Sequence, residues 1–565
     1  MKRYLLAVIL LLGLLLRVTS LDKYPVGFTP DESSFGYDAY SLLKTGKDQW
    51  GKSFPLTLES AGDFKSPLYA YLTIPSIGLL GLNKVATRLP NALSGTLAIY
   101  VTFLLTRLVS KSYGKYLGLS ETPSKALKNI GIGNIEYVAA FLLAISPWHI
   151  MMSRGAFEAN LTTFFLPLAI YLFLKGLNNP KYFTYSVILA GLNIFSYHSA
   201  KLITPLVFIF ALVIFRKEVF RNFGKYHKIS IFFALIFAAA FFWTLLSGSS
   251  TRILDVSIFK LSLMEASSER IKAINMGMDP VVGRLFFNKF VMGLRHFTAN
   301  YVSYFSPQYY FFQGPAEATY GMIPGRGVLY WFELPFLLGF FLFITKARVN
   351  KLFKLILFWF FIAPIPAALS LGPGYAANRA VIQLPSIQIL LAFGLLQVVN
   401  YIADFKYKKL VYVSYIFAST LIFIYFLLDY FLVSPQKSSK DMLYGSLKAA
   451  QWLNTNAQSK QIIVSRTLSE PNIYIAFANR MEPSSYQKYA KEWNYRKLGL
   501  GWVDQMPKWE LENYVFGDID LLKYGKEEGI VMAGKPEEFK NIIPDHVIYY
   551  PNGDPAIYIV QTPLK

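Results

Sequence analysis

The sequence predicts a polytopic α-helical membrane protein with an appended water-soluble α/β segment, on three observations. Of its 565 residues, 54% are hydrophobic and only 16% charged, where an ordinary soluble domain carries roughly 25% charged residues. The runs Leu5 to Leu16, Ile231 to Leu246, Leu355 to Ala368 and Leu410 to Val433 are long and almost purely apolar, and lipid admits such runs as helices that satisfy their own backbone. From about residue 434 the long runs stop, and short apolar stretches alternate with polar turns, as in a domain facing water.

Lys2 and Arg3 precede the first apolar stretch, Tyr4 to Leu16. It reads as a signal peptide cleaved near Val18 and Ser20 or as a retained anchor; Arg17 directly behind the run, and a chemistry-bearing segment behind that, favour the anchor. Further spans fall at about 86–106, 135–152, 157–175, 183–199, 202–215, 229–247, 328–345, 355–371, 382–400 and 410–433. That makes about eleven transmembrane helices in a membrane region, 1–433. Basic residues cluster in alternate connections: Arg107, Lys111, Lys115, Lys125 and Lys128; Lys175 and Lys181; Arg216 to Lys228; Lys346 to Lys354; Lys406 to Lys409. These mark the cytoplasmic side, so the N-terminus is expected in the cytoplasm, and the loops 22–85 and 248–327 and the tail 434–565 outside.

Within the first loop, Pro67 to Leu82 is apolar but short and broken by Pro75 and Gly78. It reads as an interfacial or re-entrant helix; a twelfth span is the alternative, and it would invert everything after it. In the tail, Ser439 is expected to cap a helix to about Gln458, with strands at Ile462–Arg466, Ile473–Ala478, Ile530–Ala533, Val547–Tyr550 and Ile557–Gln561. The net charge of +22 would suggest nucleic acid in a soluble protein. Topology accounts for it here, and no nucleic-acid partner is expected. The absence of cysteine excludes disulfides and thiolate metal sites.

The window Thr29 to Tyr40 follows the first span directly. Thr29 and Glu32 have capping-box spacing, Pro30 suits a first helical position and Gly46 a C-terminal stop. Phe35, Ala39, Leu42 and Leu43 share a face, which suits a helix lying along the lipid surface. Glu32 therefore has a structural reading beside a functional one. Asp31, at the bilayer boundary, is well placed to accept a proton from a substrate hydroxyl while a lipid-borne donor approaches from the side. In Gly62-Asp63-Phe64-Lys65-Ser66-Pro67, Lys65 lies at the depth of lipid phosphates, either holding an anionic head group or snorkelling. Ser146-Pro147-Trp148-His149 leads to Arg154 and Glu158, which either pair four apart on one helix face or bring a guanidinium and an acid to the same outer cavity. His198 and Arg379 stand on outer turns beside spans. The aromatic run Phe305 to Phe312 reads as interfacial belt rather than sugar platform.

The first span followed by Asp31-Glu32, the Lys65 and Pro67 element opening an apolar stretch, the segments around Ser146 and Arg154, and the soluble outer tail resemble the family 39 membrane glycosyltransferases of the GT-C superfamily. The protein O-mannosyltransferases and the lipid A aminoarabinose transferase are its best-known branches. The resemblance is most specific over residues 1–205. It implies transfer of a sugar from a polyprenyl phosphate to an acceptor hydroxyl of a protein, lipid or cell-wall glycan on the outer face, usually with inversion. Asp31 matches the acid after the first span, with Glu32 beside it; Lys65 matches the carrier-phosphate lysine; Glu158 matches the acid of the second outer loop. The acid before the lysine is Asp63 rather than an adjacent residue, and Ser66 separates Lys65 from Pro67.

On this reading Asp31 is the general base, and Lys65, helped by Arg154 or Arg379, neutralises the departing phosphate. No metal or other cofactor is expected. Two rivals are weaker. Asp518-Ile519-Asp520 spells the acidic pair of metal-dependent nucleotide-sugar enzymes, but in the outer tail. A lipid-linked sugar or polysaccharide transporter would show paired interrupted helices in related halves and charges near the midplane, whereas these candidates share one face.

Overall fold

The computed structural model describes residues 2–116, 135–221, 223–246, 258–346, 349–370, 375–457 and 460–563. Lys125, Lys128, Arg348, the start of the 248–327 loop, the turn after Leu371 and Gln458 lie outside them. The first half contains helices α1 (Lys2–Val18), α2 (Pro30–Thr45), α3 (Leu68–Leu80), α4 (Lys84–Tyr116), α5 (Ile135–Ile145), α6 (Pro147–Arg154), α7 (Thr162–Gly176), α8 (Lys181–Ile194), α9 (His198–Ile214) and α10 (Lys225–Leu246). Between α2 and α3 a hairpin pairs β1 (Leu58–Glu59) with β2 (Phe64–Lys65).

Among the described residues five helices are long and apolar enough to cross a membrane, or up to seven if each of two bent pairs is one span. Lys225–Leu246 and Lys408–Ser438 are only 11% buried within the protein, so most of their apolar surface is left for lipid. The expected eleven also takes in shorter apolar helices such as Tyr4–Val18, His198–Ile214 and Trp331–Thr345, and it stands as a topological proposal. Helix α3, inside the ambiguous 67–82 segment, has 13 residues. At about 1.5 Å per residue it reaches ~20 Å, short of the ~30 Å hydrocarbon core.

One of the bent pairs is α5 and α6, which meet at 54° where Pro147 interrupts the helix. Ser146 Oγ accepts from the His149 backbone N–H at 3.4 Å and starts α6. The break orphans the last carbonyls of α5. The fully buried Arg17 donates to two of them, Leu143 at 3.1 Å and Ala144 at 3.0 Å, and reaches His149 Nδ1 at 2.8 Å. Arg154 treats the end of α1 in the same way, donating to the carbonyls of Leu16 and Thr19. Its guanidinium lies over the rings of Tyr430 and Phe431. The expected Arg154 and Glu158 face does not form, because α6 ends at Gly155 and Glu158 opens a separate 3-10 turn, Glu158–Leu161.

Helix α2 starts as its sequence predicts. Thr29 and Glu32 form a reciprocal capping box, Pro30 opens the helix, and Gly46 closes it at φ 68°. It does not lie along lipid, however. Phe35 and Leu42 pack with Leu68 and Tyr69, while Tyr37 and Ala39 join a core with the C-terminal segment. The approach is close enough that a Cβ at Gly36 would meet Thr87 Oγ1 at 2.6 Å and Phe477 at 2.7 Å. The carboxylate of Glu32 is fully buried, takes a two-pronged ion pair from Arg88 (2.7 and 2.9 Å), and accepts from the Ala156 N–H at 2.9 Å. Arg88 also donates to the carbonyls of Leu21, Pro25 and Gly27, so the chain leaving α1 is fixed at both ends of its turn.

In the 248–327 loop, Ile258–Asn275 and Lys289–Ser303 pack as a helical pair. The aromatic run that follows is not an interfacial belt: Tyr309, Tyr310 and Phe311 are buried in the main core, with Tyr309 edge-on to Trp148. Phe312, at the end of the run, is 54% exposed, so the packing holds for its centre.

The C-terminal segment forms a six-stranded sheet in the order β4-β5-β3-β6-β8-β7, with β3 (Gln461–Ser465), β4 (Lys508–Leu511), β5 (Tyr514–Gly517), β6 (Ile530–Gly534), β7 (His546–Tyr549) and β8 (Pro555–Gln561). The central strand β3 runs parallel to β5 and β6; these strands are nearly continuously buried, whereas edge strand β4 alternates, as parallel interiors and edges require. Helices α11 (Tyr444–Asn456), α12 (Pro471–Ala478) and α13 (Pro483–Ala490) flank it. Two expectations are corrected. Residues 473–478 are helical, because a short run buried all round carries no period that separates helix from strand. The helix expected to begin at Ser439 begins at Tyr444, after a left-handed Leu443.

Replacing Arg88 with Met is expected to cost about 3–5 kcal/mol, since it leaves a buried carboxylate unpaired. Adding Glu32→Gln should restore part of that loss; thermal unfolding in detergent of the single and double variants measures it.

Candidate active site

The site is assembled around Lys65. The turn of its hairpin is tight: Ser60 N–H bonds the Asp63 carbonyl at 2.8 Å and Asp63 Oδ1 accepts from Phe64 N–H at 2.7 Å. His198 Nε2 lies 3.1 Å from the Phe64 carbonyl and Nδ1 lies 3.4 Å from Lys201 Nζ. A carbonyl only accepts and an ammonium only donates, so the imidazole is neutral with its proton on Nε2. His198 thus anchors the strand carrying Lys65. From the other side, Val503 N–H bonds the Ala61 carbonyl at 2.8 Å, and Glu59 is held by Tyr495 at 2.9 Å and Arg496 at 2.8 Å.

Lys65 Nζ sits 2.6 Å from Asp31 Oδ1; the lysine side chain is 4% exposed and the aspartate 42%. The pair therefore has a closed side and an open one. The ammonium also lies 5.2 Å from the centre of the Phe35 ring. Burial pushes Lys65 down, but Asp31, Glu470 and Glu158 outweigh it and hold the ammonium above its usual range. Burial, and then the Asp31 charge, push Glu470 up to about 7, with Lys65 and the Ser60 hydroxyl opposing. One cation is thus surrounded by three carboxyl groups.

A second cluster stands nearby. Tyr320 lies within electrostatic reach of Asp31, Glu158, Tyr197 and Glu317, and Arg379 is coupled to Tyr197 and Glu317. Glu317 accepts from the Asn378 N–H at 3.4 Å. Burial pushes Glu317 up to about 7 against the pull of Arg379. Among the described residues no group of three or more His, Asp or Glu side chains is arranged to hold a metal ion.

Of the residues singled out from sequence, the structure brings Asp31, Lys65 and Glu158 together, with Arg379 in the neighbouring cluster and His198 behind the hairpin. Asp63 shapes the turn. Glu32 and Arg154 are turned away into buried structural bonds. Sequence reading did not find Glu470, Glu317 or Arg88. The only local signal for Glu470 is the Ser469-Glu470-Pro471 helix start, whose first two residues both take φ of 48°.

The fold defined by these helices is shared with solved membrane-protein structures. Two crystal structures of ArnT from Cupriavidus metallidurans carry that likeness. The one bound to undecaprenyl phosphate aligns at 12% identity and TM-score 0.51, covering 98% of this chain and 97% of that chain. The apo structure aligns at 11% identity and TM-score 0.50 over the same shares, 98% and 97%. The oligosaccharyltransferase of Archaeoglobus fulgidus tethered with an acceptor peptide aligns at 13% identity and TM-score 0.46, over 98% of this chain and 73% of that one. No protein-family model matches the chain, and no curated protein matches it.

Beside the site, Asp38 is buried and accepts from the Gln49 backbone at 3.0 Å and side chain at 3.2 Å. Burial and the neighbouring Asp48 push Asp38 up to about 8, and burial pushes Asp48 up to about 6. A carboxyl whose pKa is raised on folding favours the folded state while protonated, and that contribution is lost as pH rises through the folded value. The loop should therefore lose stability between about pH 4 and 8. Asp38→Asn should raise the thermal midpoint clearly more at pH 9 than at pH 5; equal effects at both would contradict the assignment.

Proposed function

We propose that this chain is a membrane glycosyltransferase that moves a sugar from a polyprenyl-phosphate-linked donor to an acceptor hydroxyl at the extracytoplasmic face, with inversion. The observation that carries the reading is the Asp31 and Lys65 pair, half open and half buried, at the mouth of a membrane-embedded bundle. The fold likeness to ArnT, whose structure holds undecaprenyl phosphate, supports the class of donor.

In this mechanism the lipid phosphate approaches from the open side that Asp31 presents, reaches the ammonium of Lys65, and takes over part of the charge that Asp31 neutralises at rest. Asp31 is thereby freed as a base. It accepts the proton of the acceptor hydroxyl while that oxygen attacks the sugar C1 from the face opposite the phosphate. The C1–O bond to phosphate breaks, its electron pair leaves with the phosphate, and Lys65 stabilises the growing negative charge. Glu158 and the Arg379 and Glu317 cluster line the side from which the sugar enters. The topology that serves this reaction has the N-terminus in the cytoplasm and the first loop, the 248–327 loop and the tail outside.

Reconstituted in liposomes with a labelled polyprenyl-phosphate sugar and a membrane-extract acceptor, Asp31→Asn should lower transfer by about 10²–10⁴-fold while the chain remains folded in the membrane. Near-normal turnover would remove Asp31 from the mechanism. Movement of the labelled lipid across the bilayer without a new glycosidic bond would favour a transporter instead.

A further inference from the structure

The carboxyl group of Glu470 is delivered to the site by the C-terminal segment. It stands beyond the carboxyl end of β3, the strand of the sheet with a parallel neighbour on each side, separated from it by the 3-10 turn Arg466–Leu468. In open α/β sheets ligands are met at that end, at the strand where the order reverses. Ser60 Oγ donates to Glu470 Oε2 at 3.1 Å, so the glutamate touches the turn of the hairpin that carries Lys65. Ser469 and Glu470 both adopt φ of 48°, a conformation L residues avoid unless their surroundings impose it.

The charges facing Glu470 are Lys65 on the hairpin, Asp31 at the start of α2, and Asp504 in the turn after Trp502. The phenol of Tyr474, on α12, faces it as well. Glu158 faces Lys65 from the membrane side. With every acid ionised, one ammonium would stand among three carboxylates, and an arriving phosphate would be repelled. Asp31 is the exposed acid, ion-paired to Lys65. The partly buried acids, Glu470 and Glu158, are the ones that take a proton at least cost.

Resting on the glycosyltransferase reading above, we propose that Glu470 is a substrate-positioning residue of this site, donating in its protonated form a hydrogen bond to a phosphate oxygen of the lipid carrier held by Lys65. The C-terminal segment then completes the phosphate site. The raised pKa of Glu470, about 7, places the switch near neutral pH: donation is present below that value and lost above it.

Undecaprenyl phosphate binding to the detergent-solubilised full chain between pH 6 and 8.5 tests this. For the wild type, affinity should weaken by about tenfold or more across that range through loss of the Glu470 proton. Glu470→Gln keeps shape and an N–H donor, so it should bind at pH 8.5 about tenfold better than wild type. Glu470→Ala should bind weakly throughout. Ionisation of the phosphate itself affects all variants alike, so the difference between wild type and Gln is the readout. A Gln variant with the wild-type pH dependence, or one as weak as Ala, overturns the assignment. A wild type that binds no better than Lys65→Met at any pH overturns the donor reading, and this assignment with it.

Discussion

The structure depends on one constraint: backbone carbonyls freed where helices break inside a membrane protein must find donors without water. Three arginines, Arg17, Arg88 and Arg154, supply them and are fully buried. Between them they hold carbonyls from Leu16 to Gly27 and those at the end of α5. Because a guanidinium offers five donors in a rigid fork, each arginine fixes several strands of chain at once. The turn out of α1 is thereby immobilised, and with it the start of α2, where Asp31 and Glu32 stand side by side. Adjacent residues on that turn end up in opposite worlds, Glu32 with no exposure and Asp31 with 42% of its side chain open.

A second consequence is that the tail is not a separate body attached by a tether. Its sheet and the first loop share one hydrophobic core, in which Phe28, Tyr37, Ala61 and Ala86 pack with Tyr474, Phe477 and Tyr486. Hydrogen bonds from Tyr474 to the Phe28 carbonyl at 2.7 Å and from Tyr37 to the Met481 carbonyl at 3.0 Å cross the same surface. The Lys65 hairpin has only two residues per strand, too few to persist alone. It is rigid because His198 holds it from the membrane side and the 501–503 turn and Glu470 hold it from the other. A lysine with several rotatable bonds is so confined to one place beside Asp31.

Local patterns were legible where their cause is local. Apolar length marks helices that lipid will accept, and the Thr29, Pro30, Glu32 and Gly46 pattern specifies the limits of α2 because caps involve neighbours in sequence. The windows containing Asp31 and Lys65 stand out in the sequence because ionisable groups directly beside long apolar runs are expensive. The failures share a cause as well. The face of α2 was read as lipid-facing because apolar periodicity does not say what covers it, and the aromatic run at 305–312 was read as a belt for the same reason.

By itself, then, the sequence determined that the chain is a helical membrane protein whose long apolar runs give way to an α/β end, and which short segments beside those runs carry ionisable groups. Only the tertiary structure decided which of those groups meet. Glu470 reaches Ser60 across 410 positions and Arg154 reaches Leu16 across 138. The partner of a charge is set by packing between distant segments, and no spacing along the chain encodes it. That is why two candidate cations, Lys65 and Arg154, lie in quite different places, one facing an exposed carboxylate and the other closed onto backbone carbonyls.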